Sequence, residues 1–231
     1  MQLPQPLLPA RLVKRYKRFL ADVELNDGTI ITAHTPNTGS MKQCAVPGYD
    51  VLLSISDNPK RKLAHTLELI RVDGYWVDTN TQRANRVVEE ALRDGKVPGM
   101  VDYKVFPEFR FGDSRLDFML ESGNDKVLLE VKNVTLTDGE KMAQFPDAVT
   151  TRGQKHLREL ISAVDQGWRG VIFFLVQRGE AESFSPADQI DPEYGRLLRQ
   201  AILHGVEAIA MRTRVSPESV EVDCQIPVVT G

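Results

Sequence analysis

Residues 115–134 read Arg115-Leu116-Asp117-Phe118-Met119-Leu120-Glu121, then Ser122-Gly123-Asn124-Asp125, then Lys126-Val127-Leu128-Leu129-Glu130-Val131-Lys132-Asn133-Val134. Two apolar runs flank a cluster of turn-forming residues, so the segment is expected to fold as a hairpin. Side chains alternate faces along a strand. Glu130 and Lys132 therefore project from one side of the second strand, and Val127, Leu129 and Val131 from the other. Folding back antiparallel brings Asp117 alongside. The expectation is one solvent-open face carrying Asp117, Glu130 and Lys132.

Two carboxylates, completed by the Val131 main-chain carbonyl, make a hard oxygen site suited to Mg2+ or Mn2+. A lysine beside such an ion orients a water and stabilises the charge that develops at phosphorus. This arrangement resembles the metal-dependent PD-(D/E)xK nuclease site. It makes Asp117, Glu130 and Lys132 candidate catalytic residues, and Asp117, Glu130 and Val131 candidate metal ligands. The plainer reading of Glu-x-Lys is the solvated face of a half-buried sheet, which alternates in the same way.

At 231 residues the chain holds one large or two small domains, and its 42% hydrophobic and 26% charged content is ordinary for a soluble globular protein. No apolar run approaches membrane-spanning length, and residues 1–9 lack the charged start and apolar core of a secretory signal. Cys44 and Cys224 are too few for a disulfide framework and are not in zinc-site spacing. A cytoplasmic location is expected. The net charge of -3 argues against bulk attraction to nucleic acid, but its distribution is uneven. Residues 1–75 hold 10 Lys/Arg against 7 Asp/Glu, whereas residues 76–231 hold 19 against 25. A basic front joined to an acidic back suggests a binding module attached to another unit.

Working outward, the first third reads as five strands: 17–25, 29–34, 49–56, 64–71 and 75–79. Asn26-Asp27-Gly28 and Asp73-Gly74 supply hairpin turns. Five short strands predict a small closed barrel, with the OB-fold as the commonest choice. Near residue 80 the period changes to helical. Ala84, Val87, Val88, Ala91 and Leu92 form one apolar face, capped by Thr79 or Asn80 and ended by Gly95. Strands follow at 103–111, 115–121 and 126–134, and then a polar loop. A second helix has Leu157, Leu160, Ile161 and Val164 as its face. A buried strand at 170–176, a third helix through Tyr194, Leu197, Leu198, Ala201 and Ile202, and a last strand near 206–212 complete the chain. The expected class is α/β (α+β): an OB-like barrel over residues 1–80, then a nuclease-like αβββαβ unit over residues 81–231.

In the second helix Gln154 lies about 60° from Leu157, in the first turn, so it is a candidate to reach the same site. Lys155 faces away. His156 reads as a structural or surface residue. Glu89, Glu90 and Glu108 are further carboxylates that geometry does not select. Pro146-Asp147 follows Glu130 and so is not the acidic element of the motif. For nucleic-acid contact, Arg11, Lys14, Arg15, Lys17 and Arg18 interleave with Tyr16 and Phe19, and Lys60-Arg61-Lys62 adds a second basic cluster. The loop His34–Met41, which contains Asn37, offers backbone donors to a phosphate or is a plain turn. No Gly-rich nucleotide-binding run is present.

Almost the whole chain resembles the bacterial sugar fermentation stimulation protein A family. The resemblance rests on Arg15 to Val23, Pro36-Asn37-Thr38-Gly39, Ser56-Asp57-Asn58 with Lys60-Arg61-Lys62, Arg115 to Met119 and Glu130-Val131-Lys132. Its longest stretch is Phe145-Pro146-Asp147-Ala148-Val149-Thr150 with Arg152 to Leu157. It implies an N-terminal OB-fold, a PD-(D/E)xK-like second domain, and DNA binding with little sequence preference, in a family named for a proposed role in sugar (maltose) metabolism. Asp117, Glu130 and Lys132 are all intact. The sequence therefore points to a DNA-binding protein with a Mg2+-dependent nuclease site, RNA being a further possible substrate. The alternative is a non-enzymatic DNA-binding regulator that keeps a nuclease fold.

Overall fold

A computed structural model describes residues 1–37 and 39–231. The chain begins with β1 (Leu8–Tyr16), β2 (Leu20–Leu25), β3 (Ile30–His34), β4 (Asp50–Ile55) and β5 (His65–Val72). β1 pairs with both β2 and β4, and a parallel bridge from His34 to Thr66 joins β3 to β5. The five strands thus close as an OB-type barrel around Leu12, Ala21, Val23, Leu53, Leu67 and Ile70. β6 (Tyr75–Asp78) pairs with β5 outside that closure.

The expected count of five was right, but its membership was not. β1 was missing from it and β6 stood in its place. Ala10 and Leu12 are buried while Pro9 and Arg11 are exposed, an alternation masked by surrounding charge. Lys17 and Arg18, expected inside a strand, form the β1–β2 turn, with φ of 49° and 65°.

α1 (Thr81–Arg93) follows, and its N-cap Asn80 accepts from the Gln82 N–H at 3.1 Å. All five apolar residues expected on its inner face are buried. Next come β7 (Lys104–Phe111), β8 (Ser114–Ser122), β9 (Asp125–Val134), β10 (Leu136–Thr137) and β11 (Met142–Phe145). They lead to α2 (Thr151–Asp165), β12 (Arg169–Val176), β13 (Ser183–Pro186), α3 (Pro192–Leu203), β14 (Glu207–Val215) and β15 (Val220–Ile226). The expected αβββαβ order is present. The supposed polar loop after β9 contains β10 and β11, which join β13 in a three-stranded sheet. Strands this short and polar leave no period to read.

The larger sheet runs β15-β14-β12-β9-β8-β7, with parallel pairs β9–β12 and β12–β14 at its centre. α1 covers one face, packing on Phe118, Leu129, Val131 and Phe173, and α2 and α3 cover the other. Cover on both faces is why β12 is apolar from Gly170 to Val176. Leu52 and Leu69 of the barrel belong to the α1-side core, and Leu3 joins them from the chain start, where Met1 and Leu3 pair with the stretch 218–220. Among the described residues no helix is long and apolar enough to cross a membrane.

At the seam Arg83 of α1 donates to Asp78 Oδ1 at 2.6 Å and to Glu68 Oε2 of β5, all three being nearly fully buried. Replacing Arg83 by Met strands two buried carboxylates, an expected cost of about 3–5 kcal/mol in urea denaturation. Burial already pushes Asp78 up to about 6 against the pull of Arg83. The loss should therefore be smaller at pH 5 than at pH 8, because below that value Asp78 takes up a proton and no longer buries a charge.

Candidate active site

Asp117 sits where β8 parts from both neighbours. The β7–β8 ladder pairs Pro107 with Phe118 and Phe109 with Leu116, skipping Glu108 and Asp117, and the β8–β9 ladder ends at Phe118 and Leu129. Glu108 adopts a left-handed backbone with φ 54°. Leu116 and Phe118, two residues apart, pack into different core clusters, which marks the twist at this point. A backbone N–H outside a ladder needs another acceptor. Asp117 Oδ2 supplies it, accepting from the Val131 N–H at 2.8 Å, while its Oδ1 accepts from Asn85 Nδ2 of α1 at 2.7 Å.

Glu130 and Lys132 share a face of β9, as alternation requires, but that face is covered. They are 4% and 9% exposed, at the floor of a cleft of about 520 Å³ that Asp117 also lines. The expected solvent-open face is thus corrected to a recessed one, because α2 and the loop before it lie over β9. Lys132 Nζ donates to Glu130 Oε1 at 2.6 Å. His156 Nδ1 contacts the same oxygen and lies 3.2 Å from Lys132 Nζ. One nitrogen cannot both donate to Glu130 and accept from Lys132. Arg152 Nε donates to His156 Nε2 at 3.4 Å, which leaves the proton on Nδ1 and assigns the donation to Glu130.

Burial raises Asp117 to about 6, with the Glu130 charge adding to it against the Val131 N–H and Lys132. Burial also raises Glu130, but Lys132 and His156 outweigh it and hold this carboxyl below its ordinary value. Glu130 Oε2 is buried with no hydrogen-bond partner. Two carboxylates facing one cleft, one with an orphaned oxygen, suit a cation bound with several waters. Among the described residues no group of three or more His, Cys, Asp and Glu is assembled as a complete cation site. Asp117, Glu130 and Val131 all line the cleft, and the two carboxylates are the groups there that could hold a cation.

Gln154 does not line the cleft. Its Nε2 donates to Asp191 at 3.0 and 3.2 Å, at the start of α3. The buried face of α2 runs through Gly153, His156, Leu157, Leu160 and Ala163, rotated from the expected one. That rotation brings His156 over the sheet, and the periodicity of the apolar residues alone did not define it. Glu89 pairs with Arg93 and Glu90 with the chain N-terminus, so Asn85 is the α1 residue that reaches Asp117. Nothing beyond its place at the edge of the apolar stripe marked it in the sequence. Glu108 is exposed and pairs with Arg115 at 3.2 Å.

The cleft is shared between the barrel and the second sheet. Asn37 and Gly39 line it from the barrel side; Thr38 lies outside the described residues. Asp147 Oδ2 accepts from the Ser40 N–H at 2.8 Å, Ser40 Oγ at 3.0 Å and the Met41 N–H at 3.3 Å. A Cβ at Gly39 would stand 2.8 Å from that same oxygen, so a side chain there would have to push the carboxylate aside. Pro146-Asp147 is thus the clasp between the two halves. Arg15 Nη2 donates to the carbonyls of Asn37 at 2.7 Å and Gly39 at 3.0 Å, so its guanidinium holds the loop. Lys17, Arg18, Lys60, Arg61 and Lys62 are exposed.

Residues 13–78 match the profile of the SfsA N-terminal OB domain, and residues 82–219 that of the sugar fermentation stimulation protein RE domain. A sugar fermentation stimulation protein homolog of Syntrophotalea carbinolica is 64% identical over 228 residues, 99% of both chains. The homolog of Geobacter sulfurreducens is 56% identical over 233 residues, 100% of both. Among solved structures, that of Pyrococcus furiosus SfsA in complex with Ca2+ is similar, with a TM-score of 0.89 and 26% identity over 99% of this chain and 98% of the other.

Because folding raises the Asp117 value above that of a free carboxyl, ionising Asp117 destabilises the native state. Its contribution is fully present below about pH 4 and is lost as pH rises through about 6. Asp117→Asn, with the Asn85 amide turned over, keeps both hydrogen bonds and removes the charge. The variant should gain on the order of 2 kcal/mol over the parent at pH 7 and almost nothing at pH 4. Thermal unfolding across that range in chelator checks the sign.

Proposed function

Because the chain belongs to the sugar fermentation stimulation protein family, we propose that it is a DNA-binding protein with little sequence preference. Its cleft hydrolyses phosphodiester bonds with Mg2+ or Mn2+. The observation that carries this reading is the Glu130 side chain, nearly buried against Lys132 yet with one oxygen left without a partner beside the Asp117 carboxylate. Holding two carboxylates at one cleft is unfavourable without a cation between them. The similar Pyrococcus furiosus protein was solved as a complex with Ca2+, which supports a divalent site here. A role tied to sugar (maltose) metabolism and a cytoplasmic location belong to the same proposal, as does a division of labour between residues 1–80 and 81–231.

Asp117, Glu130 and the Val131 carbonyl would hold the ion, which supplies charge neutralisation at the scissile phosphate. The Lys132 ammonium, oriented by Glu130, offers its remaining N–H groups to the attacking water and to the developing negative charge. His156, donating to Glu130 Oε1, fixes that side of the carboxylate and leaves Oε2 without a partner. Gln154, tied to Asp191, is not part of this proposal. The observation favouring a non-enzymatic DNA-binding regulator is that both Asp117 oxygens are already engaged by N–H donors.

One experiment separates the two. Purified protein is incubated with single-stranded, duplex and junction DNA and with RNA, in Mg2+, Mn2+ or chelator. Cleavage should need the metal and should fall at least about 100-fold in Glu130→Gln, whose circular dichroism stays that of the parent. Cleavage that survives in Glu130→Gln would sink the assignment. Binding without cleavage of any substrate would establish the regulator.

A further inference from the structure

The β1–β2 turn and the β4–β5 loop meet over the barrel to enclose a groove of about 580 Å³, lined by Lys17, Phe19, Thr32, His34, Arg61 and Lys62. Phe19 is 47% exposed at its edge. Its backbone is fixed, since the Phe19 carbonyl accepts from the Thr35 N–H at 2.8 Å. Burial and the nearby Arg61 hold the His34 imidazole below its ordinary value, so at neutral pH it is a second flat, uncharged ring.

This groove adjoins the cleft. Arg15 Nη2 donates both to the Arg18 carbonyl, in the turn that carries Phe19, and to the Asn37 carbonyl, at the rim of the cleft. The two carbonyls are therefore no more than two hydrogen-bond lengths apart. His34 lines the groove and Asn37 the cleft, and three residues of extended chain span about 10 Å.

Resting on the reading of the cleft as a phosphodiester-cleaving site, we propose that the ligand of this protein is single-stranded DNA, with an unpaired base stacked on Phe19 and the strand continuing along residues 34–37 into the cleft. Stacking on a protein ring requires a base that is not already stacked within a duplex. Lys17, Arg61 and Lys62 line the groove and answer the phosphates. Glu130 and Lys132 are recessed at the cleft floor, where a flexible strand can descend and a duplex backbone cannot leave its helix.

The test is fluorescence anisotropy in chelator with a labelled single strand of about 20 nucleotides, long enough to cover an OB barrel and the cleft, and its blunt duplex, so that cleavage plays no part. The single strand should bind at least about tenfold more tightly than the duplex. Phe19→Ala should weaken single-strand binding by about tenfold with the salt slope unchanged, and Phe19→Trp should restore it. Replacing Lys60, Arg61 and Lys62 by Ala should instead lower the slope of log affinity against log salt, by about 0.7 for each phosphate no longer neutralised. Equal or tighter binding of the duplex, or unaltered binding in Phe19→Ala, would overturn the proposal. Those results leave the nuclease reading intact if duplex is cut. Conversely, single-strand binding through Phe19 without cleavage would remove the nuclease reading and leave this one standing.

Discussion

The Arg83 guanidinium, buried between Asp78 and Glu68, is the contact on which the geometry between the two halves depends. A charge in that position is tolerable only if its partners stay in place, so α1 cannot shift along the barrel without exposing or stranding three ions. Ser54 Oγ, donating to Glu68 Oε1 at 2.6 Å, fixes the carboxylate from the barrel side. Asn85 stands two residues beyond Arg83 on the same helix, at hydrogen-bond distance from Asp117. The seam therefore sets the position of a cleft residue through one rigid element.

Further ties close the seam around that anchor. The Gln43 side chain donates to the Thr137 carbonyl at 2.6 Å and accepts from the Thr137 N–H at 2.8 Å, in effect extending β10 with a barrel residue. Buried Arg178 reaches the Thr135 carbonyl and Glu180, and from there Asp73 in the β5–β6 turn. Asp147 grips Ser40 and Met41. Of the residues in these ties, Thr135 and Asp147 line the cleft. The barrel is thus a wall of the cleft as well as its neighbour, since Asn37 and Gly39 line it together with Phe145, Asp147 and Thr150.

The cleft itself is built from a local fault. Where the β7–β8 ladder skips a pair and the β8–β9 ladder ends, the sheet gives up cross-strand bonds at Asp117, and the carboxylate replaces one of them by accepting from the Val131 N–H. The same residue thereby fastens the two strands and brings a charge near the Glu130 carboxylate. The burial that makes this costly is supplied by α1 on one face and by α2 on the other. A site of this kind gives up stability for a charged arrangement, as functional sites commonly do.

Much of this was legible in the residues. Alternation set the faces of β9, the 3.6-residue period set the inner face of α1, and Asn-Asp-Gly set the β2–β3 turn, because each is a local rule that neighbouring residues suffice to express. The pairing of Asp117 with Glu-x-Lys, and the αβββαβ order around it, followed from the same rules and from a family resemblance. Membership of the barrel did not, since basic residues hid the alternation of β1 and a hairpin strand took its place in the count. The rotation of α2 was also out of reach. Whether Gln154 or His156 lies over the sheet depends on how the whole helix packs between β12 and α3, which its apolar residues leave free by a fraction of a turn. Recession of Glu130 and Lys132 into a cleft, the reach of Asn85, and the grip of Asp147 on Ser40 join segments that lie far apart along the chain. Sequence alone determined the helices, the strands with a clear period and the chemistry-bearing residue types; only tertiary packing decided the remaining strands and which of those residues meet, because burial and long-range hydrogen bonds belong to the assembled surfaces and to no single segment.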